Sequence, residues 1–298
     1  MKHLLSIEAL AQADMETILA ATISLKKERG RHATLPLAGQ TWAMLFSKSS
    51  TRTRVSFEVG IRELGGHVIF LPANQIQLGR GEPVKDTARV LGRMVHGAVF
   101  RTFAQSDVEE FAHYARIPTI NALTDQEHPC QILADIFTFQ EKRGSIQGKV
   151  VTFIGDGAGN IAASLIFAAP KAGFELRIAA PKAFQPPADL IKRAGGKIVV
   201  TEDVRAAASG ADMLYTDVWV SMGHETESAD RIRQLSGYQV NSAVVGLARP
   251  GALVMHCLPA YRGKEIDEAT FEANAQTIFD EAENRLHVQK AILSWLVS

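Results

Sequence analysis

Only two cysteines occur in the 298 residues, Cys130 and Cys257, far apart and without a Cys-x-x-Cys pair. That spacing argues against both a disulfide framework and a structural zinc site. No apolar run approaches the roughly 20 residues that a bilayer-spanning helix needs. The opening MKHLLSIEALAQADME places acids early and lacks an apolar signal core, so a cytoplasmic protein is expected. Neither sign of charge is in excess: Lys plus Arg and Asp plus Glu number 32 each, which leaves no global basic field for nucleic acid or an anionic membrane. Internal repeats, low-complexity tracts and long Pro/Gly linkers are also missing. What remains is an ordinary globular composition, 46% hydrophobic and 21% charged, with length for two domains and with any anion site confined to a local cluster.

Apolar runs of strand length alternate with helical stretches: TWAMLF, a helix from about Thr53 to Leu64, HVIFLP, a helical region over Asp86 to Met94, then GAVFRTF. After Gly144 the rhythm restarts with KVVTFIGDG, FELRIAAP, GKIVVTED, ADMLYTDVW and GALVMHCLP. This βαβ alternation predicts an α/β fold of two domains, each a parallel sheet flanked by helices, joined by interdomain helices. The expected bounds are 1–143 and 144–280, with a C-terminal helix over 281–298 packing back on the first domain. HPCQILADIFTFQEKRG, with Pro129 at its first turn and Gly144 after its basic end, reads as the joining helix. In open α/β sheets ligands sit beyond the carboxyl ends of the strands.

SKSSTRTRVSFEVG, Ser47 to Gly60, loads the end of the first run with five hydroxyls and two arginines in eight residues. Two readings fit: an anion site at a helix start, with N–H groups, hydroxyls and guanidinium as donors, or a Ser/Thr cap with solvated arginines. Arg101 closes GAVFRT and reads either as a cleft cation or as a surface arginine. In HPCQ, His128 and Gln131 lie within one turn and can face one ligand, an imidazole to polarise a carbonyl and an amide to read an NH2; a capping role competes. Asp217 follows MLYT, where a carboxylate suits a cationic group or serves as a cap. Cys257 follows GALVMH, so its thiol is expected at a sheet edge, against the usual inert buried cysteine. GDGAGNIAAS opens a helix after a strand, yet Asn160 stands where a dinucleotide fingerprint needs Gly or Ala, and FELRIAAP ends without an acid for a ribose. A nicotinamide cofactor is therefore disfavoured.

SSTRTR, QLGRGEP, FRT, HPCQ, DVWVSMG and HCLP, in this order and followed by ENRLHVQK, resemble the aspartate/ornithine carbamoyltransferase family, and within it the ornithine enzymes. The resemblance spans essentially the whole chain. It implies a carbamoyl-phosphate domain, an amino-acid domain, no organic cofactor or metal, and a trimer or multiple of trimers with active sites shared between neighbours. It further implies that Ser50, Thr51, Arg52 and Thr53 cradle the phosphate, helped by Arg101 and a neighbour's Gln77. His128, Pro129, Cys130, Gln131, Arg285 and the backbone at Cys257 and Leu258 would hold the carbamoyl group. Asn160, Asp217, Ser221 and Met222 would hold ornithine. The family commonly has two adjacent Asn after GDG, whereas this chain has Ala158-Gly159-Asn160, one residue longer, with Asn160 the match.

The reaction so implied moves the carbamoyl group of carbamoyl phosphate to the δ-amine of ornithine, giving citrulline and phosphate. The amine, with an ordinary pKa near that of Lys, about 10.4, must first lose a proton. Arg101, His128, Asp217 and Cys257 are the expected catalytic residues. Asp217 in DVWVSMG suits an amine and disfavours aspartate, leaving putrescine or a modified ornithine as the alternative acceptor, and a catalytically silent regulatory relative as the alternative role.

Overall fold

The structure is a computed structural model that describes residues 1–220 and 228–298. By internal contacts the chain divides into two units, Met1–Phe137 with Glu283–Ser298, and Thr138–Ala282.

The first unit is a four-stranded parallel sheet, β1 (Thr41–Phe46), β2 (His67–Pro72), β3 (Gly97–Arg101) and β4 (Thr119–Leu123), in the order β2-β1-β3-β4. Its helices are α1 (Gln12–Lys27), α2 (Thr51–Glu63), α3 (Val84–Leu91), α4 (Gln105–Ala115) and the start of α5 (Pro129–Arg143). Strands β1 and β3 are continuous apolar runs because helices cover both faces of a parallel sheet. Ala43, Leu45, Ala98, Phe100, Val108 and Phe111 form one side of the core. Phe46 pairs with Pro72 and with Arg101, so β1, β2 and β3 end at one level. The order reverses at β1: the chain leaves to β2 on one side and returns to β3 on the other, a switch point of the kind where α/β sheets take ligands.

The second unit repeats the scheme with β5 (Val150–Ile154), β6 (Glu175–Ala179), β7 (Ile198–Thr201), β8 (Met213–Thr216) and β9 (Leu253–His256), all parallel, in the order β7-β6-β5-β8-β9. Helices α6 (Asn160–Ala172), α7 (Ala188–Ala194), α8 (Val204–Ala208), α9 (Ser228–Leu235) and α10 (Ser242–Val245) lie among these strands in sequence. Its core includes Val150, Ile154, Leu214, Val254, Phe271 and Ile278. Here the switch falls between β5 and β8, at the segments that carry GDGAGN and Asp217. Helix α5 and the long α11 (Glu268–Val297) each continue from one unit into the other.

The fold class and most strand positions match the sequence expectation. Strand β4 was not foreseen: TINAL is short, mixes Thr and Asn with apolar residues, and owes its pairing to β3 rather than to any periodicity. The C-terminal helix is 30 residues long because its pattern begins at Glu268, well before the ENRLHVQK segment.

Candidate active site

In the first unit, the loaded loop joins β1 to α2. Ser50 is the cap of α2, its Oγ accepting the Thr53 N–H at 3.2 Å. Thr51 and Arg52 are exposed, and Arg52 makes no hydrogen bond or ion pair among the described residues, while Thr53 is buried. The cap and the cationic loop are therefore the same structure: a capped helix start that leaves a guanidinium available.

Behind the loop, three distant segments meet. Arg285 on α11 donates to Gln131 Oε1 at 2.6 Å and to Thr53 Oγ1 at 3.1 Å. Gln131 in turn donates through Nε2 to Asp135 Oδ1 at 2.8 Å, one turn along α5, so its amide orientation is fixed from both sides. Pro129 opens α5, where its missing N–H costs nothing. His128 precedes it and is buried; burial, then the charges of Arg285 and Arg101, hold its imidazole well below the ordinary range, so it is neutral at physiological pH. A neutral imidazole there can donate a hydrogen bond without carrying a proton into the reaction. Arg101 is buried at the end of β3, its carbonyl accepting the Ser47 N–H at 2.8 Å. Cys130 is fully buried, its thiol donating to the Asn121 carbonyl at 3.5 Å, and burial pushes its pKa up to about 12. Its side chain is inert. Gln77, expected from a neighbour, sits exposed on a short 3₁₀ turn, Gln77–Arg80, after the edge strand β2, with no side-chain hydrogen bond among the described residues.

In the second unit, strand register builds the constellation. Thr216 on β8 pairs with His256 on β9, so the next residues, Asp217 and Cys257, emerge side by side. The Cys257 thiol donates to Asp217 Oδ1 at 3.0 Å, and the Val218 N–H reaches the same oxygen at 2.7 Å. Burial raises the Asp217 pKa, opposed by the nearby His256 ring and by these two donors. Cys257 is partly buried beside the edge strand β9, as its position in sequence suggests.

His256 was not singled out from sequence, although it adjoins Cys257. Its Nδ1 accepts the Leu258 N–H at 2.9 Å, which places the ring proton on Nε2, 3.2 Å from Glu265 Oε1. Nothing in the sequence marks Glu265, because only the fold brings it under His256. Leu258 adopts a left-handed backbone, φ 57°, costing a non-glycine residue roughly 1–2 kcal/mol. Strain of that kind gathers at functional positions. Ligand-capable atoms of Asp217, His256 and Cys257 lie within 4.8 Å of one another, but both His256 nitrogens and the Asp217–Cys257 pair are engaged in the hydrogen bonds just given. Asn160 is the first residue of α6, after the turn Asp156–Gly159. Ser221 and Met222 lie outside the described residues.

Comparison with known proteins agrees with both halves. Residues 2–141 match the family model described as the aspartate/ornithine carbamoyltransferase carbamoyl-P binding domain, and residues 147–296 match the Asp/Orn binding domain. A protein named ornithine carbamoyltransferase from Akkermansia muciniphila is 54% identical, over 99% of this chain and 98% of its own. The crystal structure of the anabolic ornithine carbamoyltransferase of Campylobacter jejuni superposes with a TM-score of 0.94 at 41% identity, covering 99% of each chain. The Pyrococcus furiosus ornithine carbamoyltransferase does so at 0.92 and 42%, covering 98% of this chain and 96% of that one. With the motifs, the fold and these likenesses in agreement along its whole length, the chain belongs to the aspartate/ornithine carbamoyltransferase family.

Proposed function

We propose that the protein transfers the carbamoyl group of carbamoyl phosphate to the δ-amine of L-ornithine, giving L-citrulline and phosphate. The observation that carries this is the buried Arg285–Gln131–Thr53 set beside an exposed Arg52 that is unpaired among the described residues. A phosphoryl dianion and a planar amide are the two groups such a set fits. Ser50, Thr51, Arg52 and Thr53 hold the phosphate with Arg101, since a guanidinium fork matches phosphate geometry. His128, Gln131 and Arg285 hold the carbamoyl group, the neutral imidazole donating to its oxygen as charge develops there. The Asp217–Cys257 pair orients the amine and takes part in its deprotonation, with Asn160 on the amino-acid end. His256 and Glu265 fix the Cys257–Leu258 backbone from below.

Residues 1–137 with 283–298 are the carbamoyl-phosphate unit in this reading, and 138–282 the ornithine unit. The working assembly is a trimer in which each phosphate site receives Gln77 from a neighbour.

Citrulline formation from carbamoyl phosphate, assayed with ornithine, putrescine, N-acetylornithine and aspartate in parallel and with Arg52→Ala as the control, tests the reading. Turnover with ornithine alone, lost in the control, is the expected result. Turnover with another acceptor reassigns the ornithine residues; none with any acceptor overturns the activity.

A further inference from the structure

One ion pair in the second unit joins the two segments that carry Asn160 and Asp217, and neither partner has a role so far. Asp156 is the second residue of the turn after β5. Its Oδ1 accepts the Ala158 N–H at 3.1 Å and its carbonyl accepts the Gly159 N–H at 3.3 Å, which shapes the turn that opens α6 at Asn160. Its other carboxylate oxygen pairs with a terminal guanidinium nitrogen of Arg231 on α9. The Nε of the same guanidinium donates to the Trp219 carbonyl at 2.9 Å, two residues beyond Asp217.

The setting holds the guanidinium still. Its carbon lies 4.7 Å from the Phe184 ring centroid, and the Arg231 and Asp156 side chains are only 11% and 15% exposed. Phe184, Trp219 and Leu235 form a small apolar cluster with Ile232 alongside, so α9 is docked by its apolar residues as well as by its arginine. Trp219 is buried against the same turn, its indole Nε1 3.7 Å from where a Cβ on Gly155 would lie. That indole N–H has no hydrogen-bond partner among the described residues. Leaving a buried donor unmade costs free energy, so packing alone is a poor account of this arrangement.

We infer that Arg231 is a positioning residue for the amino-acid substrate, setting the Asn160 turn and the Asp217 segment against each other through a single guanidinium. The two acceptors are met by different nitrogens of one rigid plane, a geometry that the single nitrogen of an ammonium does not reproduce. The inference rests on the ornithine reading given above.

Steady-state kinetics of the full chain, varying ornithine and carbamoyl phosphate in turn, test it in wild type, Arg231→Met, Arg231→Lys, Asp156→Asn and the Arg231→Met/Asp156→Asn double variant. In Arg231→Met the KM for ornithine should rise about tenfold, equivalent to ~1.4 kcal/mol, with the KM for carbamoyl phosphate within about twofold of wild type. Asp156→Asn should do the same, Arg231→Lys should fall between, and the double variant should be no worse than the worse single, because both act through one contact. An unchanged ornithine KM in Arg231→Met overturns the inference. So does a parallel rise in both KM values with a lowered melting temperature, which marks a merely structural role. If Arg231→Met does not fold, Arg231→Lys and Asp156→Asn decide by the same criteria. The wild-type arm separates the two levels: no citrulline there removes the activity reading and this inference with it, whereas wild-type turnover with an unmoved variant removes only the inference.

Discussion

Arg52 and His128 show opposite uses of charge in the first unit. Arg52 is exposed at the start of α2 without a hydrogen-bond or ion-pair partner among the described residues, so the phosphate contact proposed for it would break no existing one. Arg52→Lys keeps the charge but loses the fork, and should raise the KM for carbamoyl phosphate by about 10- to 100-fold, measured against an unchanged melting temperature. His128 is instead kept neutral by burial and two arginines. In the unfolded chain it takes a proton near pH 6.5, whereas the folded protein resists until well below that value. Between those limits the unfolded state binds more protons, so stability falls as pH drops, by at most about 1.4 kcal/mol per pH unit from this residue. Urea unfolding at pH 7.5 and 5.5 should show a smaller loss for His128→Gln than for wild type. Asp217 runs the other way: its pKa is raised, so its contribution to stability is present below about pH 3.8 and lost as pH rises through the folded value. At neutral pH the partly buried carboxylate is a cost, and Asp217→Asn should melt a few degrees higher while losing most turnover. Residue types and positions at the ends of strands or the starts of helices mark these three as candidates in sequence. His256, Glu265 and Arg231 are not, since each acts on a partner that only register or helix docking supplies.

At the scale of elements, α11 brings Arg285 to the candidate site residues Gln131 and Thr53. Gly60 on α2 lets α11 approach closely, because a Cβ there would lie 3.3 Å from Lys290 Cγ and 3.5 Å from Leu286 Cδ1. Lys290 is fully buried and donates to Glu63 Oε2 at 2.7 Å at the end of α2, next to His32 Nε2 at 3.1 Å; Glu63 also pairs with Arg29. The same helix, five residues earlier, sends Arg285 to Thr53 near the start of α2. One helix is thus fastened to both ends of its neighbour. Glu63→Gln leaves the buried ammonium with neutral acceptors only and should cost about 3–5 kcal/mol, more than Lys290→Met, which leaves Glu63 with Arg29; the double variant should recover most of the difference. Denaturant midpoints of the three variants check the order. ENRLHVQK is visible in sequence as a helical stretch, but its buried Lys290 reads there as a solvated charge, because nothing local announces a partner 227 residues away. Strand β4 escaped for the related reason that its pairing, not its pattern, makes it a strand.

At the scale of the whole molecule, the same α/β scheme is used twice, and each sheet offers its switch point: the proposed anion and amide readers follow β1 and β3, the proposed amine readers β5 and β8. In sequence that division is the expectation drawn from the alternation of runs and from where the motifs interrupt it. Assembly leaves no such mark, since Gln77 is an exposed residue on a turn after an edge strand, and the role proposed for it depends on a second copy. If each site joins Arg52 of one subunit to Gln77 of the next, two dead enzymes should make a live one. Arg52→Ala and Gln77→Ala homotrimers are each impaired at every site. Mixed by dissociation and reassociation at equal amounts, about a quarter of sites should pair a Gln77→Ala subunit, with its intact Arg52, with an Arg52→Ala neighbour, with its intact Gln77, since closed ring symmetry gives every site one fixed neighbour. Activity near a quarter of wild type is then expected, at a sedimenting mass three times that of the chain. If both residues of a site came from one chain, mixing would give no more than the average of the two parents, and the shared-site trimer would be wrong while the ornithine reaction stood.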